Sequence, residues 1–163
     1  MSSKEPAKAP EAQHLRFGDD EFDVDKYNEI VYAAQLVDLR QIGSSYSVKV
    51  ECMDALERDS DLKRSFDGQT RKFSFDLENG VAIGTVEWLA EIKIGRKIAL
   101  KLEAEYLVVY NGLEGMEVDY ARLYFCKVAR FATYPYFRAL FGSSASCANI
   151  CLPPLPSLID RID

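Results

Sequence analysis

The sequence predicts an α+β fold in which a helical layer covers one face of an antiparallel sheet. Two observations carry the prediction. Between Phe73 and Tyr110, apolar and polar residues alternate in three runs separated by Asn79-Gly80 and Gly95-Arg96, the signature of a meander with one buried face. From about Glu117, apolar residues instead recur at helical spacing, with Val118, Ala121, Phe125 and Val128 on one stripe that Tyr120, Leu123, Tyr124 and Phe131 widen. A third observation goes beyond the fold. The helix is apolar on more than one side, and one helix is too narrow for so long a sheet, so a surplus of apolar surface is expected to meet a partner or a second copy.

The 163 residues carry a net charge of −6. Residues 1–30 hold Lys4, Lys8, Arg16 and Lys26 against eight carboxylates, a net of −4, which leaves −2 for the remainder. Residues 1–26 therefore read as a disordered acidic arm, and 27–163 as the folded domain. Tyr27, Ile30, Ala34 and Val37 fit a helix capped by Asp23 or Asp25, and fit the start of a strand equally well. Extended chain is expected from Gln35 to Glu51, with a bulge permitted at Gly43 and Tyr46, Val48 and Val50 on one face. Residues 52–70, ending in Asp67-Gly68, read as a long polar connection holding a short helical turn.

In the meander, Phe73, Phe75 and Leu77 alternate with Ser74, Asp76 and Glu78, and Asn79-Gly80 predicts a two-residue turn. Val86, Trp88, Ala90, Ile92 and Ile94 then face the core, as do Ile98, Leu100, Leu102, Ala104, Tyr106, Val108 and Tyr110 of the next strand. Asn111-Gly112 ends the sheet. Pro135 is expected to break or restart the following helix, with a short segment running from Tyr136 to Phe141 and stopping at Gly142. Ser143 to Asn149 is weakly helical at best.

Inventory limits the chemistry. The single histidine, His14, lies in the arm, so Ser-His-Asp and Cys-His sets are absent. No glycine-rich phosphate loop occurs, and Gly112 to Gly115 is a turn. Glu87 with Glu91 and Glu103 with Glu105 fall on the predicted solvent face of strands. Cys52, Cys126, Cys147 and Cys151 read as reduced thiols rather than a metal site. No catalytic residue, cofactor or metal is expected. The acidic balance argues against general nucleic-acid binding, and no run of 18 apolar residues points to a membrane. A cytoplasmic location is expected.

Binding is the remaining class. Tyr134, Tyr136, Phe137 and Phe141 spread around the helix, and at least two are expected to be partly exposed. Leu152, Leu155 and Leu158 follow on an arm stiffened by Pro153, Pro154 and Pro156. These seven residues are the candidate binding site for apolar segments.

The same residues carry a resemblance. Phe131-x-x-Tyr134-Pro135-Tyr136-x-Arg138, followed by Leu152-Pro153-Pro154-Leu155, resembles the helix and loop of SecB-type export chaperones, and more closely the SecB-like chaperones associated with toxin–antitoxin systems. The order of elements over residues 35–160 is similar too. The resemblance implies a four-stranded antiparallel sheet with helices on one face, and a homo-oligomer built as a dimer of dimers. It further implies ATP-independent holding of unfolded clients, preprotein or antitoxin, along apolar grooves. Pro135, Tyr136 and Arg138 are the motif positions. With the sequence ending at Asp163, coupling to SecA is placed in doubt and a specialised client gains weight. The competing reading is an adaptor that binds one specific folded partner; a small-molecule carrier or enzyme using the sheet–helix cavity is a third. Truncating Tyr136 and Phe137 together is expected to weaken holding more than it lowers melting temperature.

Overall fold

The computed structural model describes residues 22–58 and 61–158; the disorder expected for the first 21 residues lies outside them. Helix α1 (Val24–Ala33) begins three residues ahead of the boundary read from sequence. Asp23 caps it, its carboxylate accepting from the Asp25 and Lys26 amides at 2.9 and 3.3 Å. Ile30 anchors it in the core. The helix-or-strand ambiguity over residues 27–37 resolves as both in succession. Strand β1 starts immediately afterwards (Gln35–Val48) and pairs antiparallel with β4 (Lys97–Asn111). Its register skips at Val37 and at Ile42, the second skip lying one residue before the bulge expected at Gly43.

Val50 does not extend this strand. It opens a 3-10 turn (Val50–Cys52) leading into α2 (Met53–Arg58), and its side chain points into solvent. Strand β2 (Leu62–Asp76) then occupies much of what the sequence suggested was a connection. The reason lies at Gly68. A Cβ there would stand 2.6 Å from the Trp88 indole, which fills the inward position from the neighbouring strand. With Arg64 and Gly68 at positions facing the helix layer, β2 has no readable apolar alternation.

The Asn79-Gly80 turn is also longer than predicted. Leu77 to Gly80 form a four-residue loop, and only Gly80 has positive φ (+59°). Asp76 organises it, accepting from the amides of Glu78 and Asn79 and from the Asn79 side chain. Leu77, expected to face the core, is exposed. The second hairpin matches expectation: Gly95-Arg96 joins β3 (Val81–Ile94) to β4, with Gly95 alone at positive φ, as a type II′ turn requires. The sheet order is β1-β4-β3-β2, antiparallel throughout.

Alternation places Val86, Trp88, Ala90 and Ile92 of β3, and Leu100 to Tyr110 of β4, in the core as predicted. Ile94 and Ile98, beside the hairpin turn, are only half-buried. The opposite face is mixed: Ile83, Leu89, Leu107 and Val109 are partly exposed on it, among charged residues that pair with one another. Glu87 bonds Arg71 at 2.6 Å, Glu91 bonds Lys93 at 2.9 Å, and Glu103 bonds Lys101 at 2.7 Å. Such solvated pairs keep a face wet and contribute little stability.

The inner face is covered by α3 (Val118–Cys147), a single helix of 30 residues and therefore about 45 Å long. Pro135 neither breaks nor restarts it. Its ring lies on the exposed side, so the Phe131 carbonyl that loses its amide partner is on the solvent side too. On the buried side Tyr134, Phe137 and Phe141 hold the helix to the sheet. Residues 143–147 are helical as well, because Phe141 and Ala145 are buried and keep that end docked. The helix closes on Asn149 at φ +57°, with the Ile150 amide donating to the Ala145 carbonyl at 3.0 Å. Val118 and Phe131, placed on the core stripe by sequence, fall at its edges and are about two-fifths exposed.

Candidate functional site

A cluster of four aromatic rings lies where α3 crosses β2 and β3. Trp88 is fully buried, stacked on Phe137 at 5.6 Å and tilted against Tyr134 at 5.0 Å. Its indole N–H donates to Thr133 Oγ1 at 2.8 Å, and that hydroxyl donates to the Ala129 carbonyl. Tyr134 also stacks on Phe66 of β2 at 5.5 Å. Burial pushes the Tyr134 phenol up from its usual range, partly opposed by Arg138, so the hydroxyl stays a neutral donor.

That donor binds the chain's own arm. The Tyr134 hydroxyl donates to the Pro156 carbonyl, and Arg138 Nε donates to the Leu155 carbonyl at 2.7 Å. The Leu155 side chain is buried between these two contacts and belongs to the main core, as does Ile150. Leu152 and Leu158 pack half-buried against it.

This arrangement corrects the sequence expectation for the aromatics. Tyr134, Phe137, Phe141 and Leu155 are buried in the protomer, and only Tyr136, 58% exposed, offers a free ring. The reason is the sheet. Three apolar strands need a wide helix stripe, and these rings supply it. Tyr136 precedes Arg138 by two residues, about 200° around the helix, so it lies on the flank away from the arm. The seven candidate residues therefore form two groups rather than one groove. It follows that Tyr136→Ala should leave the melting temperature within about 2 °C, as for an exposed surface change. Phe137→Ala should cost about 3–5 kcal/mol. Differential scanning calorimetry of the two single variants separates them, and the paired truncation no longer isolates binding from folding.

Two further apolar surfaces are exposed. One joins α1 to the unpaired edge of β1, through Val31, Tyr32, Leu36, Val37 and Ile42, with Tyr32 88% exposed. The other is the outward side of α3. Residues 131–158 contain a single charged residue, Arg138, and Arg138 is engaged by the arm. What remains outward is Pro135, Ala139, Gly142, Ser143 and Ser146, flanked by Phe131 and Tyr136. Sequence reasoning singled out the rings and missed this strip of small residues. The missing charges were the available signal. Tyr32 carried no comparable one, since it sat where helix and strand were not yet separable.

On the β1 side the sheet's inner face is not fully covered. Tyr46 is half-buried and Tyr106 fully buried, and neither hydroxyl has a hydrogen-bond partner among the described residues. Desolvation pushes the Tyr106 phenol up to about 12. All four cysteines are unpaired thiols, and no metal-binding group of three His, Cys, Asp or Glu side chains occurs among the described residues. No helix there is long and apolar enough to cross a membrane.

No protein-family model and no curated protein matches this chain. Solved structures do. The chain is similar to the Mycobacterium tuberculosis SecB-like chaperone Rv1957, solved in complex with a ChAD peptide from the Rv1956 HigA1 antitoxin. The superposition gives a TM-score of 0.67 at 13% sequence identity and covers 85% of this chain and 99% of that one. The fold is SecB-like. Its four-stranded antiparallel sheet under a helix layer is the architecture that the resemblance implied. At this identity the SecB-like architecture, and not the pairing of individual residues, is what the two chains share. The antitoxin peptide is a ligand seen with Rv1957.

Proposed function

We propose that the protein is an ATP-independent holding chaperone that acts as a homo-oligomer in the cytoplasm. The observation that carries this reading is the apolar surface left over after folding. Thirteen large apolar side chains are exposed among the described residues, concentrated on α1 with the β1 edge and along α3. Full burial of an exposed side chain of this kind is worth roughly 1.5–3 kcal/mol, and these residues, 40–88% exposed, keep a corresponding part of that gain for a partner. The SecB-like fold, and an antitoxin peptide bound to a neighbour of that fold, support the same reading.

Two separate apolar surfaces suit two kinds of self-contact, the geometry of a dimer of dimers. The β1 edge offers unpaired backbone beside Tyr32 and Val37. The small residues of α3 permit close approach of a second helix. Client segments then contact Tyr136 on one flank of α3. On the other flank they reach the ground held by the arm of Leu152, Leu155 and Leu158, above Tyr134, Phe137 and Phe141. Holding rests on apolar contact and exposed strand edges, neither of which reads sequence closely. An export preprotein or an antitoxin fits this chemistry, and no catalytic group or cofactor enters it.

An adaptor for one folded partner would use the same surfaces differently. Aggregation of several unrelated denatured proteins, followed by turbidity without nucleotide, distinguishes the two. The chaperone suppresses all of them at near-equimolar amounts. Suppression of none, with tight binding to one folded protein, would establish the adaptor.

A further inference from the structure

We propose that the segment Cys151–Leu158 is a ligand held in cis, occupying the site that an extended client segment takes. The inference rests on the holding-chaperone reading above and specifies how that site recognises its ligand. The segment has no helix or strand structure, and none of the backbone hydrogen bonds described for the turns and loops reaches beyond Ile150. What fixes it is side chains of α3 acting on its backbone: Arg138 Nε on the Leu155 carbonyl and the Tyr134 hydroxyl on the Pro156 carbonyl, at adjacent residues. Between them one aliphatic side chain, Leu155, is buried. Prolines at 153, 154 and 156 stiffen the segment at low entropic cost.

This is a recognition pattern that makes few demands on sequence. Two consecutive backbone carbonyls are available in any polypeptide, and one large aliphatic residue is common. The site therefore selects for an extended main chain with a leucine-sized anchor and rejects folded or helical segments, whose carbonyls are already bonded. It follows that the site is closed in the resting chain. A client must displace Leu155, and in doing so uncovers Tyr134. Loosening the arm should then tighten client binding, the reverse of what removing a contact residue would do.

The test uses the full chain, its Leu155→Ser variant and a gentler Leu155→Ala variant. The first probe is a fluorescein-labelled synthetic peptide of residues 149–158, read by fluorescence polarisation. The peptide should bind both variants at least tenfold more tightly than the intact chain, the scale set by one buried leucine. A peptide with serine at its own position 155 should not bind. Equal binding to all three chains, or binding to none, overturns the proposal. So does loss of cooperative unfolding in both variants, which would make the arm simply part of the core. The second probe is a permanently unfolded protein, reduced and carboxymethylated, which the variants should also hold about tenfold more tightly. Unchanged or weaker holding by the variants overturns the proposal while leaving the chaperone reading intact. If no chain holds it while the peptide binds as expected, the cis-ligand site stands and the chaperone reading fails.

Discussion

Trp88→Ala is expected to destabilise the protein by about 3–5 kcal/mol, the range for deleting a fully buried large aromatic. A domain this size has roughly 5–15 kcal/mol to lose. The indole packs on Phe137 and Tyr134 and donates to Thr133. Behind it stands Gly68, which has no side chain with which to fill the void. The cavity therefore opens between two strands and the helix, where collapse requires the sheet itself to move. Thr133→Val should cost less, about 1–3 kcal/mol, by orphaning the indole N–H. Urea unfolding followed by circular dichroism reads both as shifts in midpoint at constant slope. A Trp88→Ala loss below about 1 kcal/mol would mean that this cluster does not anchor α3.

The second large effect concerns assembly. Ala139→Glu places a charge in the middle of the outward strip of α3, among Pro135, Gly142 and Ser143. Alanine and glutamate differ little in helix propensity, and position 139 is exposed in the protomer, so folding should be unaffected. Across a helix–helix contact the same carboxylate would be buried without a partner, at a cost of about 3–5 kcal/mol. That weakens association at this face by about 100- to 1000-fold or more. Sedimentation velocity should show a smaller particle with an unchanged circular dichroism spectrum. An unchanged sedimentation coefficient would remove this strip from the assembly.

Much of the fold was legible because β3 and β4 obey the simplest rule available. Trp88, Ala90 and Ile92 alternate with Glu87, Glu91 and Lys93, and the buried face follows although Leu89 lies on the outer one. Legibility failed where one residue's environment was completed by another. Gly68 broke the pattern of β2 because Trp88 supplies the missing side chain from the next strand. Pro135 looked like a boundary, yet burial on the opposite side of α3 carries the helix through it. The Asn79-Gly80 turn was lengthened by Asp76, whose carboxylate bonds three groups that a two-residue hairpin would not present.

The adjacency of the helix aromatics and the proline arm was legible, and Tyr134 and Arg138 do bond the Pro156 and Leu155 carbonyls; the exposure of the rings was not. Sequence cannot show which way a ring points once the sheet is wider than the helix, and Tyr134, Phe137 and Phe141 point inward. Arg138 appeared as a motif residue; its hydrogen bond to the Leu155 carbonyl is a long-range contact with no local signature. The apolar surplus of α3 was visible from spacing and survives folding at Phe131 and Tyr136, while the exposed Tyr32 and Val37 add a surface that carried no such signal.

That surplus is the centre of the account, and the mass of the particle in solution tests it most directly. Static light scattering of the purified full chain at micromolar concentration should return a multiple of the 18.4 kDa protomer, with four copies expected from two distinct self-contact faces. A monodisperse particle of 18.4 kDa, stable across the concentration range, would show that a single copy tolerates its exposed apolar surface and would contradict the account.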